Sequence, residues 1–371
     1  MNRIFSKKIY DVHNPFSIIN SLNPDGQFRI FRIYYKFYSN YLFAALPLYA
    51  VYLIITGLIS GYDDEDTKLS ISYIFVNLCL LSLWYSTLYQ KKNLQFLTSS
   101  LLSHWKLPIH RPKKTFTGFA NVFCINGTIP ALLAASIVWL KTEEANQHPY
   151  WTFGQNIDNP VYQKAASFVG TYVYYTVSIE FLCVTILSLC DLIKHCGQYI
   201  LRFSNNLKCM DFNIISDNHA DILNDYNIIE KNIRHLREIL SVPMFLILLC
   251  CFFNLYVALT YGIGNKLTSN DIIIEFVTSV FVGIAGITLL VIYSSQIPEN
   301  MLKIKASAGY LIEKYQLSVF NSGKVYCTLD RIEKKEVIYL SAWGVVDFKK
   351  SFLLTAFGAL LTYGLLILQL K

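Results

Sequence analysis

The chain has 371 residues, of which 54% are hydrophobic and only 15% are charged, and its mean hydropathy is positive. A soluble domain of this size carries about 25% charged residues, so the composition argues against an ordinary soluble protein. The net charge of +7 would suit a nucleic-acid partner, but the placement of the basic residues favours another explanation.

Seven apolar segments of about 20 residues lie along the chain, and each is long enough to cross a bilayer as an α-helix. Lysine and arginine are absent from all seven, and the only carboxylates within them are Glu180 and Glu275. The segments cover residues 41–60, 69–89, 119–140, 166–190, 240–263, 272–295 and 351–370. We therefore predict an all-α membrane protein with seven transmembrane helices.

The basic residues between these segments are distributed very unevenly. Of the 32 lysines and arginines, 27 lie in the amino-terminal leader and in the second, fourth and sixth connections, and five lie on the other side. Because cytoplasmic loops are enriched in these residues, we predict a cytoplasmic amino end and an extracellular carboxyl end. The leader lacks the apolar region of a cleavable signal, so we expect the first span to direct insertion. The positive charge thus indicates orientation and no nucleic-acid partner.

The fourth and sixth connections are about 50 residues long and carry the apolar spacing of amphipathic helices. Apolar residues recur every three or four positions from Ile222 to Leu240, and again from Ile304 to Tyr315. We expect helices 4–6 to continue into a helical cytoplasmic base, followed by a turn at residues 320–324 and a further helix at about residues 331–340. The predicted division is a six-helix bundle with these extensions over residues 1–318, and an anchor helix with the last transmembrane helix over residues 319–371.

Metal and catalytic chemistry find no support in the sequence. His195 and Cys196 lie near Cys190, but no Cys-x-x-Cys pair or second histidine stands at ligand spacing, so we expect no metal. None of the nine cysteines falls in a predicted outer loop, so we expect no disulfides. No set of catalytic side chains lies at a common membrane depth. We therefore expect no cofactor and no enzymatic activity.

The last apolar segment carries a narrow polar stripe. On a helix of 3.6 residues per turn, Ser351, Thr355, Thr362 and Gln369 share an arc of about 40°, with Leu366 beside them. One interpretation is that the hydroxyls bond to carbonyls four residues back or to a neighbouring helix. A primary amide has four hydrogen-bonding positions to satisfy, so Gln369 fits that interpretation less well. The other interpretation is that the stripe faces a shared, hydrated axis in a symmetric oligomer, where it would suit partly dehydrated cations.

The same helix carries a motif of a known family. The stretch TYGLLILQ, with Thr362, Tyr363 and Gln369, resembles the carboxyl end of arthropod gustatory receptors, which are related to insect odorant receptors. Upstream, SAWGVVDFKKS resembles the family's approach to its last span, and the predicted topology fits as well. One departure is Leu370, where the family often has phenylalanine.

The resemblance implies a chemosensory, ligand-gated, non-selective cation channel, assembled as a homotetramer or as a heterotetramer with related receptors, without a G protein. The last helix would line the pore, with Gln369 near the outer gate and Leu370 closing it as an apolar ring that dewets. Leu366, Thr362, Thr355 and Ser351 would follow along the pore. The resemblance also implies a multi-pass protein of the plasma membrane, in sensory neuron dendrites, acting in taste.

The family's ligand pocket lies within each subunit, in the outer half of the bundle. The residues of this chain that fall there are Asn77, Trp139, Tyr172, Tyr175, Thr176, Tyr256, Tyr261, Glu275, Thr278 and Phe281. Aromatic walls with a few hydroxyls suit a sugar or a bitter-tasting amphiphile. The alternative is that the aromatic residues form only an interfacial belt. Glu180 lies deeper and is protonated, hydrogen-bonded within the bundle, or functional.

Other membrane proteins compete with this interpretation. A G-protein-coupled receptor would have its amino end outside, and it would carry Asp-Arg-Tyr and Asn-Pro-x-x-Tyr motifs that this sequence lacks. A transporter would show two related halves with broken helices, which are not evident here. The alternative we keep is a membrane receptor or transporter without a pore shared between subunits.

Overall fold

The structure is a computed structural model, and it describes most of the chain from residue 159 onward together with parts of the first 140 residues. The described residues are 47–49, 51–52, 55, 67–90, 92–94, 96–97, 132–133, 135–137, 139, 159–263, 270–316 and 323–369. Within them the elements are α1 (Thr67–Tyr89), α2 (Pro160–Tyr175), a π-helical turn (Thr176–Glu180), α3 (Phe181–Lys208), α4 (Phe212–Asp217), α5 (His219–Ile263), α6 (Asn270–Gln316), α7 (Gly323–Lys334), β1 (Ser341–Ala342), β2 (Val346–Asp347) and α8 (Ser351–Gln369).

Three continuous helical stretches of the described chain are long and apolar enough to cross a membrane. They are Pro160–Lys208, His219–Gly262 and Ile273–Tyr315. Shorter apolar helices cover Ile74–Tyr89 and Ser351–Thr362. The protein is therefore a multi-pass membrane protein. The first and third predicted spans lie mostly outside the described residues, so the total of seven spans and their orientation stay predictions.

The predicted helical continuation of spans four, five and six is confirmed. The helix that contains the fourth span runs on to Lys208, α5 begins at His219, and α6 ends at Gln316. The amphipathic spacing explains this length, because Ile222, Tyr226, Ile229, Ile233, Leu236 and Leu240 are all buried. One continuous core thus passes from the membrane region into the extensions, which we call the helical base.

Two neighbouring polar contacts hold α3 against α6. The Asn300 Nδ2 donates to the Gly197 carbonyl at 2.8 Å, and the hydroxyls of Ser204 and Ser307 lie 3.3 Å apart. The second contact lies seven residues beyond the first on both helices, so α3 and α6 run in the same direction. Both contacts are buried, where a satisfied hydrogen bond fixes the relative register of two helices.

Glycines bring α5 and α6 into close contact. A Cβ atom at Gly286 would lie 2.6 Å from Cys251 Sγ and 3.0 Å from Ile186 Cδ1, and a Cβ at Gly283 would collide with Leu255. Small residues allow this close approach, which is how helices pack in a membrane, where lipid removes the hydrophobic drive for association.

Ionic contacts join the helical base to the segment that leads into α8. Glu230 on α5 accepts hydrogen bonds from Arg234 at 2.8 Å and from Lys335, just after α7, at 2.7 Å. The Arg237 Nε also donates to Ser341 Oγ at 3.3 Å. Glu230 is largely buried, so its two cationic partners offset the cost of removing the carboxylate from water.

The position predicted for the helix before the last span, about residues 331–340, is wrong. The observed helix, α7, runs from Gly323 to Lys334, and residues 336–340 are not helical. The apolar positions Val325, Leu329 and Ile332 define the buried face of α7. After them, Val337, Ile338 and Tyr339 are β-branched or aromatic, which favours extended backbone. It leads into the short β1–β2 hairpin, which the sequence analysis did not predict.

Candidate functional site

The last helix, α8, turns its polar stripe away from its own subunit. Ser351, Thr355 and Thr362 are exposed, whereas Ala356, about 120° round the helix from Thr362, is buried. Phe352, Leu353 and Leu360 pack against the core from that same buried side, and a Cβ at Gly364 would touch Leu259 of α5. The polar side of α8 is therefore available to something other than the subunit that carries it.

The hydroxyls of this stripe also bond to their own helix. The Thr362 Oγ1 donates to the Gly358 carbonyl at 2.9 Å, and the Thr355 Oγ1 donates to the Ser351 carbonyl at 3.5 Å. Such bonds use the hydroxyl hydrogen and leave both lone pairs of each hydroxyl oxygen able to accept. The two interpretations of the stripe are thus compatible, because a locally bonded hydroxyl still presents oxygen to a passing cation.

A row of leucines lies beside the polar stripe. Leu354, Leu361 and Leu365 are 80%, 71% and 61% exposed, and helical geometry places them on one side of the threonines. The backbone of Gln369 belongs to α8, but the side chains of Tyr363, Leu366 and Gln369 lie outside the described part of the chain, as does all of Leu370. The assignment of Gln369 and Leu370 to a gate stays a prediction.

At the end of the bundle away from the helical base, aromatic residues gather around a carboxylate. The Tyr174 hydroxyl donates to Glu275 Oε1 at 3.2 Å, joining α2 to α6. The ring of Tyr175 lies edge-on to Tyr174 with 5.4 Å between centroids, and Tyr49 and Tyr261 are close enough to Tyr174 to interact electrostatically. We call Tyr49, Tyr174, Tyr175, Tyr261 and Glu275 the tyrosine cluster.

A π-helical turn follows directly on the tyrosine cluster. Residues Thr176–Glu180 form it, and the Phe181 amide donates to the Thr176 carbonyl, five residues back. All five residues are buried, including Glu180. Within the described structure, Thr176 Oγ1 and Ser178 Oγ have no hydrogen-bond partner. Single π-turns inside α-helices occur frequently at functional sites, and unsatisfied buried hydroxyls are ready to bind a polar group.

Comparison with solved structures identifies proteins whose fold is similar to that of this chain. The olfactory receptor OR5 from Machilis hrabei has a similar structure, with a TM-score of 0.59 and 13% sequence identity over 90% of this chain and 89% of that receptor. The same receptor in complex with eugenol gives a TM-score of 0.56 and 13% identity, over 94% of this chain and 92% of the receptor. The fold is that of an insect olfactory receptor. No protein-family model matches the sequence, and no curated protein matches it by sequence.

The olfactory-receptor fold brings together some of the predicted pocket residues. Tyr175 and Glu275 both contact Tyr174 in the tyrosine cluster, and Tyr261 lies within electrostatic range of Tyr174. Thr278 is buried one turn below Glu275 and bonds to the Ile274 and Glu275 carbonyls at 2.8 and 3.0 Å. Thr176 follows Tyr175 directly and is buried in the π-turn.

The other predicted pocket residues differ in how deeply they are buried. Asn77 is buried on α1, and Tyr172, Tyr256 and Phe281 are half-buried. Trp139 is 46% exposed and lies edge-on to Phe168, 6.1 Å away between centroids. Their membership of a pocket stays a prediction.

Sequence reasoning missed Tyr174 and Tyr49. On an uninterrupted α-helix Tyr172, Tyr175 and Thr176 share a face, and Tyr174 lies off it, so it was not selected. The signal that could have found it is chemical: Glu275 is one of only two carboxylates in the predicted spans, and it needs a donor.

In the described chain, no three metal-ligating side chains come together, and the eight cysteines there are free thiols.

Proposed function

We propose that this protein is a chemosensory, ligand-gated, non-selective cation channel of the gustatory type. The observation that carries the proposal is the exposed hydroxyl stripe of α8, which faces away from its own subunit while the opposite face of the helix is packed. In a single subunit the stripe faces outward and cannot enclose a pore. Four copies around an axis would turn it into the wall of a hydrated pore, where hydroxyl oxygens replace part of the hydration shell of a cation. The fold and the TYGLLILQ motif support the same function.

The ligand, in this proposal, is a small tastant that binds at the tyrosine cluster. Ring faces and hydroxyls from several helices, with one carboxylate, suit the hydroxyls of a sugar or the basic group of a bitter-tasting amphiphile. Binding there would couple α2 to α6, because the Tyr174–Glu275 contact already joins them. A ligand opens the channel only if it binds the open arrangement more tightly than the closed one.

Recording from cells that express the full chain tests the channel. With tags at both ends, intact cells should display only the carboxyl-terminal tag, and tastants should evoke cation currents. Gln369→Ala should change the relative permeability to cations, whereas Gln198→Ala, the same substitution at an exposed site on α3, should not. Ligand-evoked transport without currents would favour the alternative, a receptor or transporter without a shared pore.

Removal of one hydroxyl tests the ligand site. Tyr174→Phe deletes the donor to Glu275 and keeps the ring, so we expect the tastant concentration for half-maximal current to rise about tenfold. Tyr162→Phe is the matched control, since Tyr162 lies on the same helix and is 68% exposed. Dose–response curves for a panel of sugars and alkaloid-like amphiphiles provide the measurement. Equal shifts in both variants, or in neither, would contradict a ligand site at the tyrosine cluster.

A further inference from the structure

The turn between β1 and β2 exposes two large apolar side chains. Trp343 is 65% exposed and Val345 is 71% exposed, with Gly344 between them. Ala342 and Phe348, which flank the turn, are by contrast almost completely buried. The hairpin is thus anchored in the core, and only its tip, which we call the Trp-Gly-Val tip, is apolar and outside.

The backbone holds Trp343 in an unusual conformation. Its φ is 50°, and that of Gly344 is 70°. The left-handed region suits glycine or asparagine, and a bulky residue there is uncommon. Backbone contacts maintain it: the Trp343 amide donates to the Ser241 carbonyl at 3.1 Å, and the Val345 amide donates to the Ala342 carbonyl at 2.9 Å. A tryptophan kept at an unfavourable position, with its ring outside, points to a use for that ring.

The tip lies at the level where two membrane helices begin their apolar parts. Trp343 bonds to Ser241 and packs on Phe245, 5.1 Å between centroids, and both residues stand at the start of the apolar run of α5. Arg237 and Glu238 are the last charged residues before that run. A few residues after the hairpin, Ser351 begins the apolar helix α8. Val242, next to Ser241, is also exposed, so the apolar surface continues from the tip onto the membrane-crossing part of α5.

Basic residues follow the tip at the same level. Lys349 lies over the Tyr339 ring at 4.7 Å and 4.0 Å from the Asp347 carboxylate, and Lys350 pairs with Glu299 at 2.8 Å; both lysine side chains are more than half exposed. Tryptophan concentrates where lipid acyl chains meet headgroups, and nearby lysines attract anionic headgroups. A lipid surface therefore fits both the apolar tip and its charged flank.

We propose that the Trp-Gly-Val tip is a membrane-surface anchor. Trp343 and Val345 enter the boundary between headgroups and acyl chains of the leaflet on the side of the helical base, and Lys349 and Lys350 face its anionic headgroups. Because the hairpin leads directly into α8, the anchor fixes the depth at which the last helix enters the bilayer. This inference is independent of the channel function and of the ligand.

Tryptophan fluorescence of the full chain in lipid nanodiscs tests the anchor. The chain has five tryptophans, so the emission of Trp343 is obtained as the difference between wild type and Trp343→Phe, or Trp343→Tyr if the first variant does not fold. In lipids brominated near the headgroup, we expect the Trp343 emission to fall at least about twofold. Aqueous iodide should leave it nearly unchanged.

The other outcomes overturn the proposal in different ways. Quenching by iodide and not by brominated lipid would place Trp343 in water. Quenching by neither would place it against protein, such as a second copy of the chain. Discs with and without phosphatidylserine test the charged flank: quenching by brominated lipid should be stronger with phosphatidylserine, and Lys349→Gln with Lys350→Gln should remove that difference. Equal quenching of the wild type in both lipids would overturn the role of the lysines.

Discussion

A positively charged thiosulfonate reagent, applied from outside, should suppress the current of Thr362→Cys by about tenfold or more and leave that of Ala356→Cys unchanged. Thr362 is exposed on the polar stripe of α8, whereas Ala356 is 2% exposed on the packed face of the same helix. A cysteine in a hydrated pore reacts and then carries a fixed cation, which repels permeant cations at close range. Patch-clamp recording before and after the reagent measures the effect.

The controls for this labelling experiment come from the chain itself. Wild type treated with the reagent gives the background of the native thiols, of which Cys209 and Cys327 are the exposed ones among the described residues. Thr355→Cys, on the same stripe, should also lose current. Block of Ala356→Cys together with resistance of Thr355→Cys and Thr362→Cys would mean that the pore lies elsewhere.

Gly286→Ala should destabilise the folded protein by about 1–3 kcal/mol, as expected for overpacking. The new methyl group would lie 2.6 Å from Cys251 Sγ and 3.0 Å from Ile186 Cδ1, where α6 packs tightly on its neighbours. Gly358→Ala is the matched control, because nothing lies within 4 Å of its Cβ position. An exposed alanine has a higher helix propensity than glycine, so this control should be neutral or stabilising, by up to about 1 kcal/mol.

Thermal unfolding in detergent, followed by size-exclusion chromatography, compares the two glycine variants. Adding Cys251→Ala to Gly286→Ala makes room for the new methyl group, so the double variant should be more stable than the sum of the two single changes predicts. Equal melting temperatures for Gly286→Ala and Gly358→Ala would contradict close packing of α5 and α6 at this position.

Much of the fold follows from the sequence because its signals are long. The stripe from Ile222 to Leu240 predicted a helix that continues out of the membrane region, and α5 is such a helix. The polar stripe of α8 was also predictable, because it depends only on helical periodicity. The β1–β2 hairpin was not predictable, since its strands have two residues each and its turn places Trp343 at positive φ.

The candidate ligand site was predicted only in part. Tyr175 and Glu275 were selected for their chemistry and membrane depth, and both contact Tyr174. Tyr174 was not, because the face that a buried helix turns to its neighbour depends on packing and not on its own apolar spacing. The π-turn has no residue signature, since it differs from an α-helix only in which carbonyl each amide reaches.

The π-turn explains how α2 and α3 can both face α6, although they lie on one continuous helical stretch. Thirty residues separate Tyr174 from Ser204, and both contact α6. On an unbroken α-helix these two residues would point about 120° apart. The π-turn absorbs one surplus residue and takes back about 100° of rotation, which leaves them about 20° apart. Removing one residue within Thr176–Glu180 would therefore let the turn straighten into regular α-helix, with Tyr174 and Ser204 still about 20° apart and both facing α6.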